Sequence, residues 1–323
     1  MSFHVIVGAG AVGSTLATEL ADSGHEVRLV TRSGSGPAHP HIRLIRADAA
    51  DRSALLPHVT GAAALYNCAN PPTYALWERS WPPLAASMLS VAESTGAVLV
   101  TMSNLYGYGP VEGPISRDHP LTPSDHKGML RARMWQDALA AHEAGRVRVT
   151  EARASDFIGP GVGPNGGLIT RYGLAAVAGK PVYMFGDPDA PHSWTYMPDV
   201  ARTLAVLGTD ERAWGRPWHV PTAPPVSARA VVEQAVQLAG ARAPRVRRVR
   251  RGMLRPFYPF SALLRELDGV LYQFKQPWEI DSTATSDDLG LYPTPWDITL
   301  ESTVDHWRHA HYQQGSGQKS KTS

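Results

Sequence analysis

Apolar residues fall in short runs that alternate with helical stretches through the first half of the chain. Val5–Gly8 is an apolar run ending in glycine, and Ala11–Ser23 spaces Val12, Leu16 and Leu20 four apart on one helical face. Glu26–Val30, Ile42–Ile45, Ala63–Asn67, Ala97–Thr101 and Val147–Glu151 read as further strands, with helix-like segments such as Trp81–Ser94 and Lys127–Ala144 between them. Strands apolar on both faces need cover on both, and strand–helix alternation supplies it through right-handed crossovers. The pattern predicts an α/β protein with a doubly wound parallel sheet of the Rossmann type. After residue 155 it loosens into Gly/Pro-rich loops (Gly159–Gly167), with helical spacing again at Asp199–Leu207 and Ala228–Ala239. The expected organisation is a dinucleotide-binding core over residues 1–165, then remaining core elements plus a small C-terminal substrate-binding lobe over 166–312. Residues 313–323, rich in Gly, Ser, Lys and Gln, read as a flexible tail.

Composition narrows the function. With 43% hydrophobic and 19% charged residues, the 323-residue chain is not of the disordered class. It has no apolar run long enough to span a bilayer and no secretory leader pattern at its start. A single cysteine, Cys68, cannot form an internal disulfide, which fits a cytoplasmic location. A net charge of +2 argues against a dedicated nucleic-acid binder.

The first chemical signal is Gly8-Ala9-Gly10-Ala11-Val12-Gly13, a G-x-G-x-x-G that follows an apolar strand and opens a helix. In that setting Gly8 permits the tight turn and Gly10 admits a pyrophosphate. Gly13 lets the helix pack closely, with the N-terminal amides of Ala11 and Val12 facing the phosphates. An NAD site would place an acid at the end of the second strand, but the chain reads Thr31-Arg32-Ser33 there. Arginine suits a 2′-phosphate, so NADP (as NADPH) is the expected cofactor. Asp48-Ala49 follows the third strand, where Asp48 either accepts from the adenine amino group or caps a helix.

With these segments the chain resembles the extended short-chain dehydrogenase/reductase superfamily, in its NAD(P)-dependent epimerase/dehydratase-like form. Asn67-Cys68-Ala69-Asn70 matches the segment after strand four, which places Ala69 and Asn70 beside the cofactor. Ser103-Asn104-Leu105-Tyr106-Gly107-Tyr108-Gly109-Pro110 is similar to the serine-rich end of strand five followed by Tyr-Gly. Arg153–Pro160 is similar to the Arg…Gly-Pro turn after strand six, and Ser193–Ala201 to the element before a late helix, with Asp199 as its N-cap. The resemblance implies catalysis by Tyr-x-x-x-Lys, and this chain lacks that motif. Counting back from Arg153 places Lys127 at the tyrosine position and Arg131 at the lysine position. The other register places Lys127 at the lysine and Pro123 at the tyrosine. The serine position falls on Met102 or Asn104, with Ser103 adjacent to both.

Lys127, Arg131, Ser103, Asn104 and Tyr106 are therefore the candidate catalytic residues, with Lys127 also holding the cofactor. Tyr106, Tyr108, Lys127, water or a substrate hydroxyl could supply the missing proton, and a cation at 127 could stabilise an oxyanion. The expected function is an NADPH-dependent reductase of a bulky, aromatic, polyketide-type ketone. Its alternatives are a sugar-nucleotide epimerase/dehydratase and a non-catalytic NADP-binding sensor; a homodimer is left open. No metal-ligand spacing stands out: His306, His309 and His311 read as solvated, and Ser124-Asp125-His126 lacks a nucleophile elbow. The arginine stripe Arg242–Arg255 reads as a solvated edge or a grip on phosphate. Met253–Phe260 and Leu271–Phe274 read as a lid or as core.

Overall fold

The computed structural model describes residues 3–164, 166–249 and 269–319. Its first half runs β1 (Phe3–Val7), α1 (Ala11–Asp22), β2 (Glu26–Thr31), β3 (Ile42–Arg46), α2 (Arg52–Val59), β4 (Ala62–Asn67), α3 (Trp77–Thr95), β5 (Val98–Asn104), α4 (His126–Glu143) and β6 (Val149–Ala154). There follow β7 (Asp156–Ile158), α5 (Leu168–Val177), β8 (Val182–Phe185), β9 (Trp194–Tyr196), α6 (Met197–Leu207), β10 (Pro217–His219), α7 (Ala228–Ala239) and β11 (Val246–Val249). The last described helices are α8 (Thr283–Leu289) and α9 (Trp296–Lys319).

Seven parallel strands form one sheet in the order β10-β6-β5-β4-β1-β2-β3. The chain starts in the middle, moves outward through β2 and β3, then returns to lay β4, β5 and β6 on the other side. The order therefore reverses between β1 and β4. Their in-register ends, Val7 beside Asn67, border the crevice where a doubly wound sheet receives its ligand.

The chain divides into two compact units: Met1–Ala154 with Pro198–Pro221 and Asp281–Tyr292, and Ser155–Met197 with Thr222–Ile280 and Pro293–Ser323. In the first, Val5, Val7, Val30, Leu65, Leu99 and Val149 from the strands pack against Leu55, Met88, Val91 and Trp135 from α2, α3 and α4. Each such side chain contributes about 1.5–3 kcal/mol through burial. The second unit pairs β7 with β9 and β8 with β11, and gathers α5, α7 and α9 around Tyr172, Val231, Val232 and Trp307.

Several expectations change. The helix-like segment Trp81–Ser94 is longer than expected: α3 begins at Trp77, ends at Thr95 and carries Pro82 and Pro83 inside it. Asp199, expected as the N-cap of the late helix, lies inside α6 by the helix bounds. It stands in the first turn of α6, where its carboxylate accepts from Arg202. Of the arginine stripe, Val246–Val249 forms β11, while residues 250–255 and the segment Met253–Phe260 lie outside the described residues. Leu271–Phe274 is a 3-10 turn with Leu271 buried and Phe274 stacked on His192, centroids 4.9 Å apart, so this half of the aromatic stretch is core. Helix α9 runs to Lys319, through most of the segment whose composition reads as a tail. No helix among the described residues is long and apolar enough to cross a membrane.

Gly173 shows how tightly the second unit is closed. A Cβ built there would lie 2.0 Å from the ring of Trp307, itself wholly buried. Gly173→Ala is expected to lower the unfolding free energy by about 1–3 kcal/mol through overpacking, read from the midpoint of a urea transition. An unchanged midpoint would show that α5 and α9 are looser than drawn.

Candidate cofactor and catalytic site

The glycine turn has the geometry its spacing implies. Gly8 sits at φ +99°, and a Cβ there would lie 2.8 Å from Ala69 Cα. A Cβ on Gly13 would lie 1.9 Å from Gly8 O, so both positions are closed to side chains. At Gly10 a Cβ would meet nothing within 4 Å. That open glycine precedes α1, whose N-terminus has no side-chain cap and no acid in its first turn. Uncapped amides and a helix dipole behind an open, glycine-floored turn fit a pyrophosphate. Ala69 is brought against this turn as expected, while Asn70 is exposed beyond it.

Around the far end of the expected site, Thr31 Oγ1 accepts from Ser35 N at 3.0 Å. Arg32 and Ser33 are exposed. Asp48 is exposed too, and its Oδ1 accepts from Ala50 N at 3.0 Å. The helix cap considered for Asp48 belongs to Asp51, which accepts from Ser53 N and Ala54 N. Ala49 is buried in the core.

The first turns of α4 build the second half of the site. Asp125 caps the helix through Gly128 N at 2.8 Å. A Cβ on Gly128 would lie 2.4 Å from Tyr106 O, so α4 rests directly on the turn that follows β5. This anchors Lys127 and Arg131, one helical turn apart, at the carboxyl end of β5. Both are buried, at 1% and 6% exposure. Lys127 Nζ lies 3.5 Å from Asp125 Oδ2 and 5.2 Å from the centroid of Tyr74. Arg131 donates to Met102 O at 2.7 Å, and its guanidinium stands 4.5 Å from the ring centroid of Trp81. Its Nε and Nη1 have no hydrogen-bond partner among the described residues.

Burial pulls the Arg131 guanidinium below the usual arginine range, opposed by Glu151 and Tyr106. Positive charge in the opening turns of a helix also opposes the helix dipole. Asp125 offsets Lys127, and Glu151, aromatic rings and the Met102 carbonyl stand around Arg131. The same region holds a small cleft, with about 10 Å³ of free space, lined by Ser103, Asn104, Tyr108, Arg131, Glu151 and Arg153 among others. An oxygen that carries or develops negative charge is what such donors accommodate.

Tyr106 lies at the edge of this cluster. Its hydroxyl is 2.8 Å from that of Tyr74, its ring stacks on Trp77, and Asn104 Oδ1 accepts from its amide at 3.1 Å. Tyr74, Trp77, Trp81 and Asp125 were not found by sequence reasoning. The aromatic residues come from the segment after β4, where no spacing marks them as neighbours of α4. Tyr108, considered beside Tyr106 as a proton source, sits in a different setting. It is fully buried, accepts from Arg153 Nη1 at 2.7 Å, and lies 2.8 Å from His219 Nε2. Arg153 in turn bonds Glu151 at 2.7 Å. Burial would lower the Arg153 guanidinium, but Glu151 and Tyr108 outweigh it and hold it raised. This network braces the ends of β6 and β10. Burial also pushes the Cys68 thiol up, leaving it inert.

A glycine turn between a central parallel strand and the helix that follows defines a dinucleotide-binding Rossmann protein. The comparisons with known proteins agree. Residues 4–218 match the model of the NAD dependent epimerase/dehydratase family, and the chain belongs to that family. No curated protein matches the chain. Among solved structures it is similar to MoeE5 in complex with UDP-glucuronic acid and NAD, with 23% identity over 96% of this chain and 100% of that one, and a TM-score of 0.79. It is also similar to UDP-glucuronic acid 4-epimerase from Bacillus cereus in complex with NAD (19% identity, 96% and 100% coverage, TM-score 0.77). A third is dTDP-glucose 4,6-dehydratase from Bacillus anthracis in complex with NAD (18% identity, 96% and 97% coverage, TM-score 0.79). These likenesses establish the fold.

The buried His219 makes stability depend on pH. Its Nδ1–H donates to Asp281 O and its Nε2 lies beside the Tyr108 hydroxyl, each at 2.8 Å, and burial disfavours the charged ring. Burial pushes its pKa down from 6.5 to about 3. Below 6.5 the unfolded chain takes up a proton that the folded one refuses, so stability is lost as pH falls from there towards the folded value. Between pH 7 and pH 5 the loss is about 2 kcal/mol. Urea denaturation at both pH values should show a smaller drop for His219→Asn than for the parent. Equal drops would show that the ring is not held neutral.

Proposed function

We propose that this protein carries out dinucleotide-dependent oxidation and reduction at a hydroxyl- or keto-bearing carbon of a sugar nucleotide. This is the epimerase/dehydratase alternative, and it takes precedence over the ketoreductase of a bulky ketone expected from the sequence. Family membership supports it, as do structural relatives whose complexes hold UDP-sugars with NAD. The observation that carries it is the buried Lys127–Arg131 pair, with guanidinium N–H groups left over beside Ser103 and Asn104.

The chain's own residues divide the work. The amides at the start of α1 and the open face of Gly10 hold the pyrophosphate. Bound there, a nicotinamide dinucleotide supplies hydride uptake and return. Lys127 and Arg131 hold the substrate oxygen as its negative charge develops, with water excluded by Tyr74, Trp77 and Trp81. Ser103 and Asn104 orient that oxygen from the strand end. Tyr106, hydrogen-bonded to Tyr74, exchanges the proton that a tyrosine on α4 would otherwise handle.

A ketoreductase remains as a second reading because of Arg32, whose guanidinium suits the 2′-phosphate of NADPH, the usual reductant. Net cofactor use separates the two. Incubation with UDP-glucose, UDP-glucuronic acid or dTDP-glucose should give isomerised or dehydrated product with no lasting change in absorbance at the nicotinamide band. Steady NADPH consumption on aromatic ketones would favour the reductase instead. Cofactor binding without turnover of either set would leave a sensor. Lys127→Met keeps the buried stem and removes the charge. Its turnover is expected to fall by roughly 10²–10³-fold, and undiminished turnover would remove Lys127 from the chemistry.

A further inference from the structure

We propose that Tyr74 and Tyr106 form a two-phenol relay that passes the reaction's proton between a substrate oxygen and water, with Tyr106 as its inner member and Tyr74 as its outer one. The inference rests on the proposed oxidation and reduction at a hydroxyl- or keto-bearing carbon, and adds to it the residue through which the proton leaves.

The two hydroxyls are 2.8 Å apart, within hydrogen-bond distance, although the residues lie 32 apart along the chain. Trp77 holds both rings. It meets Tyr74 edge-on, with centroids 5.1 Å apart, and stacks on Tyr106 at 6.1 Å. Trp77 is buried, and Asn104 Oδ1 fixes the turn beneath Tyr106 through its amide. Both phenols are half-buried, and Thr73, Ala75 and Leu76 around Tyr74 are exposed. The neighbouring pair of Tyr108 and His219 is the contrast, since both of its members are buried.

Aromatic rings that keep water from the cations also close the way out for a proton. A phenol set in that wall opens it again without admitting water. As the substrate O–H bond breaks, Tyr106 Oη takes the proton and gives its own to Tyr74 Oη, which releases its own to water. The electron pair of the broken bond stays on the substrate oxygen, whose charge Lys127 and Arg131 meet. Return of the proton runs the same three transfers backwards. The charged groups facing the phenols come from α4. Lys127 Nζ lies 5.2 Å from the Tyr74 centroid, Arg131 interacts with Tyr106, and Asp125 Oδ2 lies 3.5 Å from Lys127 Nζ. Two cations and one carboxylate there favour a transient phenolate. Tyr74 acts through Tyr106 and is a positioning residue.

An NMR pH titration of the tyrosine phenols in the full chain, without substrate or dinucleotide, tests the pair directly. Tyr74→Phe and Tyr106→Phe assign the two signals. In the parent the two phenols should titrate as a coupled pair. In Tyr74→Phe, Tyr106 should titrate at higher pH than in the parent, because its phenolate has lost a hydrogen-bond donor. Turnover of the sugar nucleotide that the parent converts should fall by roughly tenfold in that variant, with KM and dinucleotide binding unchanged and the loss recovered as pH rises. Independent, single-step titrations of the two phenols in the parent overturn the proposal, as does a Tyr74→Phe protein with the parent's turnover. A loss of turnover that persists at every pH, with the Tyr106 titration unmoved, overturns it too, since Tyr74 would then only shape the turn. A parent that converts no sugar nucleotide removes the proposed function instead, and the titration, read without substrate, tells that failure from failure of the phenol pair.

Discussion

Burying positive charge at the start of a helix is the constraint around which this molecule's first unit is arranged. Lys127 and Arg131 both face the sheet from the opening turns of α4, against the helix dipole and almost out of contact with water. Each neighbouring feature reads as a consequence. Asp125 serves as cap and counter-charge together. Trp77, Trp81 and Tyr74 turn their faces to the cations, the geometry in which an aromatic quadrupole stabilises them. Gly128 lets the helix approach the Tyr106 turn closely enough for the strand-end carbonyl of Met102 to reach Arg131. Placement so costly in desolvation is unlike a solvated helix surface, the bland alternative for two basic residues a turn apart.

A second buried group sits nearby with a different balance. Glu151, Arg153, Tyr108 and His219 satisfy one another, and the ion pair is closed at 2.7 Å. Removing one member of such a pair typically costs about 3–5 kcal/mol, because the other is left buried and alone. This cluster fixes where β6 and β10 end. The Lys127–Arg131 cluster keeps guanidinium donors in reserve. The first network closes on itself, while Arg131 Nε and Nη1 have no hydrogen-bond partner among the described residues.

The sheet was legible because parallel strands buried on both faces must be nearly uniform in hydrophobicity, and Val5–Val7, Leu29–Val30 and Val98–Val100 are. The glycine turn was legible because three backbone requirements fall at fixed offsets. Lys127 and Arg131 were legible only through the resemblance, by counting back from Arg153. What escaped is non-local. Tyr74, Trp77 and Trp81, from α3 and the turn before it, meet α4 in space about fifty residues along the chain. Tyr108 was as attractive in sequence as Tyr106, two residues away. Only the fold shows that one phenol is locked between Arg153 and His219 while the other meets Tyr74. The return of Pro198–Pro221 and Asp281–Tyr292 to the first unit likewise escaped, since periodicity marks a helix such as Asp199–Leu207 without saying which unit it joins.

Separating the cations from the phenols changes what the site can do. A tyrosine on α4 would donate a proton and feel its neighbouring cation from the same helix, so that binding and acid catalysis would move together. Here the cations sit on α4 and the phenols on the turns after β4 and β5, where the hydroxyls of Tyr74 and Tyr106 meet each other at 2.8 Å. An oxyanion can be held in this site without being protonated at once, because electrostatic stabilisation does not wait for proton transfer. Chemistry that passes through an enolate or alkoxide of appreciable lifetime tolerates such a division. A single concerted carbonyl reduction gains less from it, which is a physical ground, independent of the structural relatives, for placing the multistep sugar-nucleotide reading first.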